Sequence, residues 1–494
     1  MIKWGETLAF VGVLLAASAL AVTARRLRPI EKLPDLPGWA LADRSLGPVT
    51  TWFLLGGSIF TAYTFAAVPG LVYAAGAIGF FPFVYTALLC PVLFVLLPRL
   101  WRAARDAGAV TVADWVRHRY GSPALMLAVA LTGVLATMPY IALQLIGVRA
   151  VLIAGGLYPP GLVGDLALTA VFAVLAVATY RSGLRAPTVI AFFKGVLIFT
   201  ATIGVLLVVL HLLGGPDAAL ATAERRLGAT TGRSLFLDPE LGPAFVSLAV
   251  GSALALPMYP HVLTAAFAAD GPAALRRASV AMPAWTMLLG LFSVLAVAAL
   301  AAGITAPPGR AEVAVPMLVS AVVPAEASGI VFGALVVGAL VPAAVMSVAV
   351  AALFTRNVYV PFFHPTATPK HEVRVSRMVS LLVKFAAIGF VFGLREQDSI
   401  NLQLLGGVWI LQTMPAVVLG LVSSWWHRHG LLAGWLAGMV TGTVLVVVRG
   451  FTSVVAVGSV LLYVALVALA VNLAVAAVAT IVLRRRGSGA VMST

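Results

Sequence analysis

The sequence predicts an all-α polytopic membrane protein of about thirteen transmembrane helices, and three observations carry that expectation. The chain is 62% hydrophobic and only 10% charged, with a mean hydropathy of +1.06, far outside the range of a soluble domain of similar length. Apolar runs near the ~20 residues that a spanning helix requires recur from one end to the other. The net charge of +15 is spread through alternate loops, which is the positive-inside pattern and not a nucleic-acid-binding patch. Cys90 is the only cysteine, which excludes an intramolecular disulfide and a cysteine metal cluster.

In chain order, the first apolar run covers about residues 6–24. Arg25, Arg26 and Arg28 follow it while Lys3 and Glu6 offset each other before it. That order favours an uncleaved helix with its N-terminus outside over a signal peptide. The second run, 50–80, returns outside near Ala77. The third, 80–97, delivers Arg99, Arg102, Arg105, Arg117 and Arg119 to the inside, with Val110, Val112, Trp115 and Val116 reading as an amphipathic helix on the membrane surface. The fourth to sixth helices fall near 125–154, 162–180 and 187–213, and a mixed-charge loop, 214–241, follows outside. The seventh to tenth fall near 243–268, 280–302, 330–356 and 379–392. The last three fall near 402–421, 431–448 and 455–483, and Arg484 to Arg486 hold the C-terminus inside. Of 32 Lys and Arg, only Lys3, Arg149, Arg225, Arg226, Arg233, Arg310, Arg395 and Arg449 fall outside.

Two of these helices are interrupted. TTWFLLGGSIFTAYTFAAVPGLVYAAGAIGF, residues 50–80, carries Gly56-Gly57 and Pro69-Gly70, with Ser58, Thr61, Tyr63 and Thr64 between them. GSALALPMYPH, in the seventh helix, carries Pro257 and Pro260. Glycine and proline release backbone groups that hydrocarbon cannot satisfy, so such breaks are tolerated where they line a cavity or bind an ion or substrate. The two breaks are five helices apart. Five is odd, so helices two to six (about 49–213) and seven to eleven (about 243–421) are expected to be inverted repeats within a single transporter domain, with the site between the breaks. One extra helix precedes the repeats and two follow them.

The 17 Asp and Glu all fall in expected loops or at helix ends, with Asp165 and Glu326 nearest the membrane. No carboxylate pair, nucleophile triad or proton relay of carboxylates can be assembled in the bilayer, which argues against an enzyme. Lys194 and Lys384 stand alone in apolar surroundings, and snorkelling to the inner interface is the favoured reading of each. Tyr140 and Tyr259 sit beside Pro139 and Pro260, and His261 follows the break. Gln144, Gln403 and Gln412 are mid-helix amides, either donors in a cavity or bridges between helices. Pro342 and the small residues before Ser347 offer free carbonyls next to a hydroxyl, the ingredients of a small-cation site.

Long phrases of the chain resemble the solute:sodium symporter family, and within it the bacterial monocarboxylate uptake permeases. They are TWFLLGGSIFTAYTFAAVPGLVYAAG, PRLWRAARDAGAVTVADWV, LTGVLATMPYIALQLIG, GSALALPMYPH, ALVPAAVMSVAVAALFTRNVY and INLQLLGGVWILQTMPAVVLG. The resemblance implies a LeuT-like five-plus-five inverted repeat in the bacterial cytoplasmic membrane. It also implies uptake of a small carboxylate of the pyruvate, lactate, acetate, propionate or alanine class by cation symport, with Na+ or H+ as coupling ion, no other cofactor and a functional monomer. The family's sodium ligands fall here on Gly57, Phe60, Ala344 and Ser347. The chain departs from the family at Val348, where many members carry a second hydroxyl, and at Ser58, Ile59 and Ala191, where some carry aspartates. The site is thus short of oxygens for sodium. The alternative to snorkelling for Lys194, one turn beyond Ala191, is that it turns inward and serves as a surrogate cation or proton site. Substrate contacts are expected from Thr61, Tyr63, Tyr140, Gln144, Tyr259, His261 and Gln412. The alternatives are a symporter of another small solute (amino acid, sugar or urea class) and a major-facilitator-type carrier with two parallel halves.

Overall fold

Helix starts in this chain are written by short polar caps before apolar runs. Asp35 accepts from the Gly38 amide at 2.8 Å and opens α2 (Leu36–Leu41). Thr111 and Asp114 form a reciprocal capping box on α6 (Val112–Tyr120), and Ser122 with Pro123 opens α7 (Pro123–Ala154). The computed structural model describes residues 4–27, 35–159, 161–180, 182–393 and 399–486. Lys3, Arg28, Arg181 and Arg395, part of the charge pattern read from sequence, lie outside the described residues.

The chain begins with α1 (Trp4–Leu27) and α2, then enters the first interrupted helix, α3 (Pro48–Ile59) and α4 (Val68–Ala75). α5 (Phe81–Asp106), α6, α7, α8 (Leu162–Tyr180) and α9 (Arg185–Leu212) follow. The mixed-charge segment read as a loop folds as α10 (Pro216–Thr231), because Ala219, Ala223 and Leu227 form an apolar stripe that is buried against the core. The second interrupted helix is α11 (Gly242–Ala255) and α12 (Pro260–Phe267), followed by α13 (Pro272–Ala281), α14 (Pro283–Ala301) and α15 (Ala314–Val322). α16 (Ala325–Phe354), α17 (Val360–Phe363), α18 (Pro369–Gly393), α19 (Ser399–Ile410), α20 (Gly420–Val422) and α21 (Arg428–Val448) lead to a hairpin. The hairpin pairs β1 (Val454–Val457) with β2 (Val460–Tyr463), and α22 (Val464–Arg485) closes the chain.

Ten stretches among the described residues are long and apolar enough to cross a membrane. Beyond these ten, α3–α4, α8 and α18 occupy the positions of the remaining helices read from sequence. α16 is the axis of the bundle, buried along nearly its whole length, with α1, α7, α9, α12 and α18 packed around it. Apolar side chains that remain exposed, such as Leu88, Phe94, Phe192, Leu207, Leu436 and Val444, form the surface a bilayer would wet.

Three sequence expectations are corrected. The segment after Asp106 does not lie free on the membrane surface: Val112, Trp115, Val116 and Tyr120 of α6 are buried, and the helix packs on α7. The last helix starts at Val464, not 455, because Tyr463 docks first. Its amide donates to Ser247 Oγ at 2.9 Å and its hydroxyl to the Leu404 carbonyl at 2.7 Å. The first helix is not interrupted at Gly56-Gly57 or at Pro69-Gly70 but between them. Helical geometry runs through both glycines to Ile59 and resumes with a π-helical turn, Tyr63–Ala67, that passes straight into α4, so Pro69 lies within continuous helical backbone.

Candidate functional site

The first interruption is centred on Phe60, whose backbone is extended (φ −91°, ψ 97°). The turn frees the carbonyls of Gly57 and Phe60, and both are taken by one side chain. Lys194 Nζ, reaching across from α9, donates to Gly57 O at 2.7 Å and to Phe60 O at 2.8 Å. Lys194 is fully buried, and its ammonium lies 6.0 Å from the centre of the Trp285 ring. Gly56 makes room for Trp285. A Cβ at Gly56 would sit 2.1 Å from Trp285 Nε1, and one at Gly57 would touch Ala191 and Lys194. Snorkelling, the favoured reading of Lys194 and Lys384, is overturned for both. Lys194 turns inward to broken backbone, and Lys384 is buried with its amine 3.4 Å from Ser380 Oγ.

The amide face of the same turn is held from α7. Gln144 Oε1 accepts from the Ala62 amide at 2.9 Å, and Gln144 Nε2 donates to Thr61 Oγ1 at 3.3 Å and to the Tyr140 carbonyl at 2.9 Å. Thr61 Oγ1 also accepts from the Tyr63 amide at 3.1 Å, and Tyr140 donates to the Ile59 carbonyl at 3.4 Å. The Tyr63 ring is buried beside Tyr85, with centroids 6.2 Å apart. The close passage of α7 depends on Gly147, where a Cβ would fall 2.4 Å from that of Ala62.

The second interruption is centred on Tyr259 (φ −64°, ψ 136°), between the turn at Leu256–Met258 and the start of α12. Tyr259 donates to the Gln403 carbonyl at 3.3 Å. Tyr140, Tyr259 and His261 form a closed set of rings, each pair 5.3 to 5.4 Å apart. His261 is fully buried, and among the described residues neither ring nitrogen has a hydrogen-bond partner. A buried polar ring left unpaired is costly, so its retention beside a break points to a ligand. The rings of the second interruption thus meet the residues that stitch the first, with α7 as the common wall.

Three expected residues stand apart from this group. Gln412 faces α22: its amide donates to Val408 O at 3.0 Å and Ala465 O at 3.4 Å, and accepts from Asn472 Nδ2 at 3.2 Å. It bridges helices, as mid-membrane amides do. Ser347 and Ala344 are buried on α16, which packs against α3, α9 and α12, but Ser347 Oγ donates to Ala343 O at 2.6 Å within its own helix. Sequence reading missed Trp285, which stacks on Phe60 with centroids 5.8 Å apart. A tryptophan near a helix end is ordinary in membrane proteins and gave no signal.

Two broken helices, each first in a set of five and facing a shared buried site, define a LeuT-like secondary transporter. A structural comparison agrees. A Na+-coupled sialic acid symporter in a substrate-bound outward-open state superposes with a TM-score of 0.79 over 98% of both chains, at 11% identity. Residues 39–442 match the model of the sodium:solute symporter family, and the chain belongs to that family. It is a transporter, not an enzyme and not a major-facilitator carrier. It is 43% identical over 473 residues, 95% of each chain, to the "Monocarboxylate transport permease protein" of Rhizobium johnstonii (strain DSM 114642 / LMG 32736 / 3841). More distant relatives in Bacillus subtilis (strain 168) are the "Uncharacterized symporter YodF", 27% identical over 81% of this chain and 80% of its own, and the "Osmoregulated proline transporter OpuE", 25% identical over 83% of each.

Proposed function

We propose that this chain takes up a short monocarboxylate by cation symport. The observation that carries the substrate class is the 43% identity to a monocarboxylate transport permease across 95% of both chains. The site's chemistry is compatible: a small anion needs few donors and little room. His261, Tyr140 and Tyr259 supply polar edges in an aromatic wall, and the positive end of the half-helix starting at Pro260 lies beside them. The binding group is Thr61, Tyr63, Tyr140, Gln144, Tyr259 and His261. The protein functions as a monomer in a bacterial cytoplasmic membrane, N-terminus outside and C-terminus inside, with repeats over about 49–213 and 243–421.

The family's usual coupling ion is sodium, and here the carbonyls freed by the first interruption, Gly57 O and Phe60 O, already hold an ammonium. The side chains of Ala191, Ile59 and Val348 add no oxygen, and among the described residues the neutral Trp285 ring is what else faces Lys194. Lys194 therefore takes the place of sodium, and the cation that can leave and return at this position is a proton. Charged, the lysine ties α9 to the turn; uncharged, it weakens that tie. Loading and release of the proton couple the turn to the transport cycle.

Uptake of labelled pyruvate, lactate, acetate, propionate, alanine, sugars and urea into proteoliposomes tests the substrate class. Saturable uptake of the monocarboxylates, competed by one another, is expected; exclusive uptake of a sugar or urea would refute the reading. If Tyr140→Phe, Gln144→Ala and Tyr259→Phe all leave uptake unchanged, the binding group is wrong.

A further inference from the structure

On the flank of the bundle, where α5 packs on α11 and α20, a groove of about 400 Å³ opens sideways into the plane of the membrane. Every side chain that lines it is apolar except Arg99. Val95 and Val422 stand exposed at its mouth, while Pro257 and Met258 are buried at its floor. From Pro91 to Arg99 the groove follows about 12 Å of α5, against the ~15 Å of hydrocarbon in one leaflet. Arg99 marks its interfacial end, on the side that loop charge assigns to the cytoplasm.

The deep end of the groove reaches irregular backbone. Its floor is the turn Leu256–Met258, which immediately precedes Tyr259 of the second interruption. One wall comes from the continuation of α19, where Met414 and Val418 line the groove at the π-turn Pro415–Leu419. Two of the side chains that meet the groove are thus methionines, which adapt to an occupant of no fixed shape.

The interfacial end is cationic, and its arginines differ in how they are used. Arg102 Nε donates to the Pro98 carbonyl at 3.3 Å, and Arg105 lies over the Trp101 ring at 5.3 Å. Arg119 donates to the Gly420 carbonyl at 2.9 Å and to the Ser423 carbonyl at 3.3 Å, which fixes the foot of the wall. Among the described residues the Arg99 guanidinium has no hydrogen bond or ion pair. Its stem lines the apolar groove and its charge is left for the headgroup level, the arrangement by which arginine bridges hydrocarbon and interface.

We propose that this groove binds one anionic phospholipid of the inner leaflet, an acyl chain seated against Pro257, Met258 and Met414 and the headgroup phosphate on Arg99. The apolar walls hold the chain, and Arg99 selects the anionic headgroup. The turn before Tyr259 is then backed by lipid on the side away from the central rings. Lipid and solute meet different sides of the second interruption, so occupancy of the groove does not depend on which solute the protein carries.

Full-length protein, stripped of lipid in detergent, is titrated with phosphatidylglycerol or with phosphatidylcholine of the same chains and read by native mass spectrometry, as wild type, Arg99→Gln, Val95→Trp and Arg102→Gln. Wild type is expected to take up one phosphatidylglycerol ahead of all others and to prefer it to phosphatidylcholine. Arg99→Gln should weaken that first phosphatidylglycerol about fivefold, the loss of one interfacial cation, and bring it level with phosphatidylcholine. Val95→Trp, whose ring fills the mouth, should lose the first-bound lipid with either headgroup, and Arg102→Gln should match wild type. Equal binding of the two lipids by wild type overturns the site, as does either Arg99→Gln or Val95→Trp binding phosphatidylglycerol as wild type does. Oxidative cross-linking of Val95→Cys to a second copy, in a Cys90→Ala background, would overturn it in favour of a protein interface.

Discussion

Replacing Gln144 by Met keeps the volume of the side chain and removes every hydrogen bond it gives to the first interruption. Two contacts to the turn disappear, from the Ala62 amide at 2.9 Å and to Thr61 Oγ1 at 3.3 Å. Thr61 keeps the Tyr63 amide as a donor, so the main loss is the Ala62 N–H, left without its acceptor in a buried turn. Stranding one such group costs roughly 1–3 kcal/mol. Taking about 2 kcal/mol, the population holding the turn falls on the order of thirtyfold. The same cost should appear in kcat/KM, because the turn belongs to the binding group and not to the bulk of the fold. The assay is initial-rate uptake in proteoliposomes, with thermal unfolding in detergent as a control for folding. Gln144→Glu, which keeps the acceptor, should retain more transport than Gln144→Met. A Gln144→Met protein with wild-type kcat/KM would refute the claim that Gln144 stitches the interruption for function.

Gly56→Val should lower thermal stability by about 1–3 kcal/mol and abolish uptake, since its Cβ meets Trp285 at 2.1 Å and Trp285 is wedged by Phe60 and Phe199; unchanged unfolding would refute the packing. Gly70→Val should hold the turn at 311–313 off α4, because a Cβ there meets the Glu312 backbone nitrogen at 2.8 Å. Faster thiol labelling of Thr305→Cys in a Cys90→Ala background reads that opening, and an unchanged rate would deny it. Gln412→Leu should destabilise the α22 bridge by about 1 kcal/mol while leaving substrate KM within about twofold; a large KM change would return Gln412 to the binding group.

The spans were legible because a helix in hydrocarbon must be written in apolar residues for about its whole length, and loop charge set their alternation. The second interruption was legible because Pro257 and Pro260 leave the ladder no choice around Tyr259. The first was bracketed but misplaced. Gly56 is there for the close approach of Trp285, and neither glycine ends the helix. Pro69 is tolerated by α4, and nothing in Phe60 itself marks an extended residue. The direction of Lys194 was not legible either: a lysine two turns from an interface reads the same whether it reaches out to water or in to a carbonyl. What decides is the pair of carbonyls on another helix, 134 and 137 residues away in sequence. Gln144 and Gln412 look alike in sequence and differ only in which helix lies opposite, the interrupted α3–α4 or α22.

The central claim is that Lys194 stands where the coupling cation would. It is tested by uptake of labelled pyruvate into proteoliposomes at fixed pH with sodium replaced by choline, then with an imposed inward proton gradient, for wild type and Lys194→Ala. The account predicts that wild type transports without sodium, is driven by the gradient, and loses gradient-driven uptake in Lys194→Ala, whose freed Gly57 and Phe60 carbonyls leave an opening for sodium. Wild-type uptake abolished by removing sodium would contradict it, as would gradient-driven uptake that survives Lys194→Ala unchanged.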